Sequence, residues 1–198
     1  MTANHIHNGL GAAIKALLDV VAPSVDPDDP LAHEQLQLVV DYLELVRSRT
    51  DLIWDRERLT LRHYLAMADA VGPSVSTWLD GAASAGRRAL GDADAGVRPL
   101  RDAAAELAGA LSELVRALGE PDADPALCAR VEVVVVDASQ VLVDVERAWY
   151  LPLGFDPAAA EVGSVEAALQ HATAELDRGP QPALYQGEGP GTAPQAPR

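Results

Sequence analysis

The chain has 198 residues, 48% of them hydrophobic, but only eight are aromatic while 36 are alanine. A core of Leu, Val and Ala favours close-packed helices over an aromatic-rich β-sandwich. Thirty acids against fifteen bases leave a net charge of −15, which argues against general binding to nucleic acid or anionic membrane, because neutralising phosphate draws on Lys and Arg. The one cysteine, Cys128, cannot close an intramolecular disulfide.

The apolar stretch at residues 9–22 is interrupted by Lys15 and Asp19 and lacks a cationic segment before it, so no signal peptide is expected and the cytoplasm is the expected compartment. Ile6, Leu10, Ile14, Leu17 and Val21 instead line one face of a first helix over residues 4–21. A linker with Pro23 and Pro27 follows. Asp29 before Pro30 then forms a cap-plus-proline start, in which the side chain serves an orphan amide and the proline wastes none. From there to Val71 neither Gly nor Pro occurs, which predicts a second helix about 63 Å long at about 1.5 Å per residue, stopped by Gly72 and Pro73.

Residues 73–90 predict a weaker helix with a small-residue face of Gly81, Ala85 and Ala89, and residues 91–96 a loop. Leu100, Ala104, Leu107, Leu111, Leu114 and Leu118 alternate in steps of four and three, the cleanest amphipathic pattern in the chain. Asp124 and Pro125 repeat the cap-plus-proline start and open a helix that runs to about Tyr150. Its eight valines within residues 131–145 prefer strands, but Asp137, Ala138, Ser139 and Gln140 lack the Gly or Asn of a tight hairpin. Val131, Val134, Ala138, Val141, Val145 and Ala148 fit a helical seam, and the further apolar residues place this helix at the centre. A last helix, loosened near Gly163, lies within residues 157–178. The fold expected is therefore all-α: a bundle of five or six helices over residues 1–178, with one unusually long second helix. Residues 179–198 hold five of 14 prolines and read as a flexible tail whose loss leaves folding intact.

No metal or cofactor motif survives inspection. A dinuclear carboxylate site wants Glu-x-x-His, and the residues three before the five histidines are Thr2, Asn4, Pro30, Thr60 and Ala168. His5 and His7 diverge by about 200° on a helix and cannot converge on one ion. Cys128 has no nearby histidine, and no nucleophile elbow is present, so neither a cofactor nor a catalytic residue is expected.

Two groups remain as candidate sites. Residues 47–62 hold five of the 14 arginines, and Arg47, Asp51, Trp54 and Arg58 line up at steps of four and three. An Arg–Asp–Arg row beside Trp54 would grip a carboxylate or phosphate by bidentate hydrogen bonds, although intrahelical ion pairs such as Arg47–Asp51 account for the same residues. Trp149, Tyr150 and Phe155 form an aromatic group that would dock a partner or cap the end of the core. The leading functional expectation is a non-catalytic acidic helical protein acting by self-association or by binding a protein partner. The alternative is a small enzyme or ligand carrier with an anion pocket at Arg47, Asp51, Trp54 and Arg58. A homodimer built on the second helix is expected, because that helix outruns its neighbours and would leave Leu36, Val39, Val40 and Leu43, or Leu65, Met67 and Val71, facing water.

Overall fold

The computed structural model describes residues 2–73 and 75–179, and among them there are helices and no strand. In chain order these are α1 (Thr2–Ala16), α2 (Pro30–Arg49), α3 (Ile53–Val71), α4 (Thr77–Gly91), α5 (Val97–Leu118), α6 (Pro125–Tyr150) and α7 (Val165–Arg178). Since α2 and α3 run end to end through a single 3₁₀ turn, Thr50–Leu52, the bundle has six rods, one of them 42 residues long. Both cap-plus-proline starts form: the Asp29 side chain accepts from the Ala32 amide and that of Asp124 from the Ala126 amide, each at 3.0 Å. The valine-rich segment is helical from end to end, tertiary packing having overridden its strand propensity. The tail expectation falls almost wholly on residues 180–198, which lie outside the described ones.

The centre of the bundle is α3, which packs against α4, α5, α6 and α7. Leu61, Leu65, Met67, Ala68 and Val71 of α3 share one core with Leu79, Leu100, Leu107 and Leu111, while Leu59 faces a second core with Val145, Trp149, Val165 and Leu169. The expectation that α6 is central is corrected here. It uses the predicted seam, burying Val131, Val145 and Ala148, but Val133, Val136 and Val143 stand exposed on its outer side. Its apolar width exceeds what its neighbours cover. The small-residue face of α4 also moves: Leu79, Ala82, Ala83 and Gly86 are buried, while Gly81 is exposed. The helix starts at Thr77, not Pro73, because the Ser76 side chain accepts from the Leu79 amide at 3.3 Å. Gly86 is required for close approach, since a Cβ there would sit 3.0 Å from Leu107 Cδ1 and 3.1 Å from Leu61 Cδ1.

Upstream of the 3₁₀ turn, α1 and α2 form a helical hairpin that leans on the bundle only at its base. The break has a local cause. Ser48 Oγ donates to the Leu45 carbonyl at 2.9 Å and Thr50 Oγ1 to the Val46 carbonyl at 3.0 Å, side-chain bonds that compete with the regular ladder. The π-helical turn Leu17–Val21 widens the end of α1 and leaves Leu18, Val20 and Val21 exposed at the far end of the hairpin.

Candidate functional site

The arginine-rich segment is split between surfaces. Arg47 pairs with Glu44 at 2.9 Å, a turn away on α2, and lies close to the backbone of Gly11 on α1. Asp51 is exposed in the 3₁₀ turn. Trp54 and Arg58 do come together: the Arg58 guanidinium lies 5.3 Å from the Trp54 ring centroid. Trp54 Nε1 donates to the Ala95 carbonyl at 3.1 Å and Arg58 Nη1 to the Leu90 carbonyl at 3.3 Å, tying α3 to the last turn of α4 and to the loop that follows it. Both line an open groove of about 500 Å³ against α7, with Arg62, Glu166, Gln170 and Asp177. Arg47 and Asp51 do not line it.

The aromatic group divides in the same way. Trp149 is 6% exposed and caps the second core, with Arg56 and Arg49 over its ring at 4.5 and 5.8 Å. Arg56 also pairs with Glu146, holding α3 to α6. Past Tyr150 the chain turns through Leu151–Leu153 and a left-handed Gly154 (φ 77°). Arg147 grips Asp156 with two bonds, Nε to Oδ2 at 2.8 Å and Nη2 to Oδ1 at 3.1 Å, and this fork holds the Asp156 carboxyl below its usual range. The turn so fixed presents Phe155 outward at 76% exposure, with Tyr150 half-exposed beside it.

A second groove, about 570 Å³, runs between α3, α6 and α7 over Met67, Val134, Val141 and Leu176. His63, buried on its floor, points Nε2 at the Ala138 carbonyl 2.6 Å away, so Nε2 carries the proton and the buried Nδ1 is left without a partner. Burial pulls the His63 pKa below its ordinary 6.5, the Ala138 bond and Glu175 opposing. A depressed folded pKa gives stability that is present above the unfolded value and lost as pH falls below about 6.5 through the folded one. Thermal unfolding should therefore show Tm falling from pH 7.5 to 5.5 in the wild type and falling less in His63→Gln. An equal fall in both would mean that other groups carry the dependence.

The third feature is α2 itself, which carries apolar residues on two opposite stripes. At about 100° per residue, Leu36, Val40, Leu43 and Arg47 lie on one side, and Leu31, Gln35, Leu38, Tyr42, Leu45 and Arg49 on the other. The first stripe packs on α1, where Val40 meets a helix whose Ile14 is equally buried. The second stripe is sealed at one end only. Arg49 donates from Nε and Nη2 to the carbonyls of Trp149 (3.2 Å) and Ala148 (3.3 Å), and Leu45 is 3% exposed. Beyond that seal Leu31, Leu38 and Tyr42 are 64%, 42% and 56% exposed.

The expected exposed rows are thereby corrected: Leu65, Met67 and Val71 are core, Val40 is buried by α1, and of the residues named on α2 only Val39 is exposed, at 49%. Leu31, Leu38 and Tyr42 went unnamed. The signal that would have found them is the pair of opposed apolar stripes, which marks a helix built to be contacted from two sides.

Among the described residues no group of three or more His, Cys, Asp or Glu is placed to hold a metal ion, and no helix is long and apolar enough to cross a membrane. Against family models, curated proteins and solved structures the chain finds no significant match.

Proposed function

We propose that this chain is a non-catalytic helical-bundle protein that works by associating with another protein chain, and that the bare stripe of α2 is its working surface. The observation that carries the reading is one stripe in two states, sealed at Leu45 and Arg49 and uncovered from Leu31 to Tyr42. Apolar rows of this kind on a monomer are association surfaces more often than accidents of folding. The arginine-anchored base supports it further, because a rigid root presents the stripe in one orientation and lowers the ordering cost of binding.

The test is a photoreactive amino acid at Tyr42, illuminated in the native source. An adduct with a second polypeptide that disappears in Leu31→Glu is the expected result. Absence of any adduct dependent on the stripe overturns the reading.

A second reading rests on the Trp54–Arg58 stack in the wall of the groove against α7. In it the groove recognises a small carboxylate or phosphate, with Arg58 as the anion contact and Trp54 as the apolar wall. Titrating a panel of such metabolites while following tryptophan fluorescence should give a saturable change that Arg58→Ala removes. A flat response, or one unchanged by the substitution, eliminates it.

A further inference from the structure

We infer that the occupant of the α2 stripe is an amphipathic helix of a different protein, carrying basic residues along one edge of its apolar face. The inference rests on the reading of α2 as an association surface and adds the chemistry of the partner. Leu31, Gln35, Leu38 and Tyr42 follow one another at steps of four, three and four, the spacing that accepts the side chains of a second helix lying alongside. From Leu31 to Tyr42 the bare stripe spans about 17 Å, the length of about eleven helical residues. At its base the turn after α6 touches α2, and Tyr150 and Phe155 beside that turn are exposed.

Charge decides the kind of helix. The two flanks of the stripe differ: Ala32, Val39 and Val46 lie on one, Glu34 and Asp41, seven residues apart, on the other. The Asp41 carboxylate is held by a bond from Gln37 Nε2 at 2.7 Å. The loop leading into α2 adds Asp26, Asp28 and Asp29 at the stripe's open end. A partner with Arg or Lys seven residues apart on the facing edge meets these acids pair by pair. A second copy lying antiparallel does the reverse. In an antiparallel two-fold pair like flanks meet, so Glu34 and Asp41 would face the same acids, on chains that each carry a net charge of −15.

The test uses the full chain and three fluorescein-labelled peptides of eighteen residues: one with leucines at heptad spacing and arginines along one edge, one with glutamates in place of the arginines, and one with the basic composition scrambled to destroy the stripe. By fluorescence anisotropy the basic amphipathic peptide is expected to bind at least tenfold more tightly than either control. Leu38→Glu should abolish that binding. The charge reversal Glu34→Arg/Asp41→Arg should shift the preference to the acidic peptide, and all these exposed substitutions should leave the circular dichroism spectrum unchanged.

Equal binding of the basic and scrambled peptides, no saturable binding, or a preference untouched by the charge reversal would overturn the inference. So would a light-scattering mass of twice 20.8 kDa that Leu38→Glu returns to 20.8 kDa, which would make a second copy the occupant. If the probe at Tyr42 captures a chain in the native source while the basic peptide fails to bind, the association reading stands and the basic-helix inference falls. If both fail, both fall.

Discussion

Leu107→Ala is expected to cost about 3–4 kcal/mol and to lower Tm by on the order of 10 °C. Leu107 has no exposed surface and lies between α3 and α4 at the point where Gly86 allows the closest approach. Truncation there removes apolar contacts and leaves a cavity that three packed helices cannot close. The site offers its own control. With Leu107 shortened, the methyl of Gly86→Ala no longer meets Leu107 Cδ1 at 3.0 Å, and Leu61 Cδ1 at 3.1 Å and Leu65 Cδ2 at 3.3 Å can give way into the vacated space, while alanine adds helix propensity of about 1 kcal/mol over glycine. The double variant should therefore recover up to about 1 kcal/mol of the loss in urea unfolding. A single-variant cost below about 1 kcal/mol would show that the bundle repacks around this position.

Trp149→Ala and Phe155→Ala should separate widely although both residues belong to one aromatic group. The first removes a buried ring that caps the second core and lies beneath two guanidinium groups, and a loss of about 3–5 kcal/mol is expected. The second trims a side chain that stands 76% clear of the protein, and stability should stay within about 0.5 kcal/mol. Thermal unfolding of the two variants side by side decides the matter. A comparable loss in both would mean that Phe155 folds down onto the bundle in solution.

The parts of the fold legible in the sequence are those governed by local chemistry. Asp29 and Asp124 before proline dictate helix starts whatever surrounds them, and both side chains accept from amides as their positions require. The leucines of α5 leave one possible inward face, and Leu100, Leu107, Leu111 and Leu114 occupy it. What depends on neighbours was less legible. On α6 the exposed Val133, Val136 and Val143 share the outward side with Asp137, Gln140 and Asp144, so in sequence they look like a widening of the core face. On α2 the pattern reveals two apolar stripes but not which one α1 covers, a matter of how the hairpin closes. Arg47 and Arg58 share a helical register in sequence. Yet the 3₁₀ turn at Thr50 lies between them, and each is held by different partners, Glu44 for one and the Leu90 carbonyl for the other.

That turn also divides the protein by how it opens. The hairpin of α1 and α2 buries Ile14, Val40 and Leu45 but few other side chains, whereas α3 contributes to both cores. Opening of the hairpin therefore exposes little apolar surface, while the amides of α3 are released only when the bundle as a whole unfolds. In hydrogen exchange the 42-residue rod should not behave as one helix. Protection should step upward at Thr50, with residues 30–44 exchanging through frequent local opening and residues 57–71 tracking global stability. A covalently continuous rod is in this sense two cooperative units, and the first can yield, bind or be trimmed by a protease while the second keeps the fold.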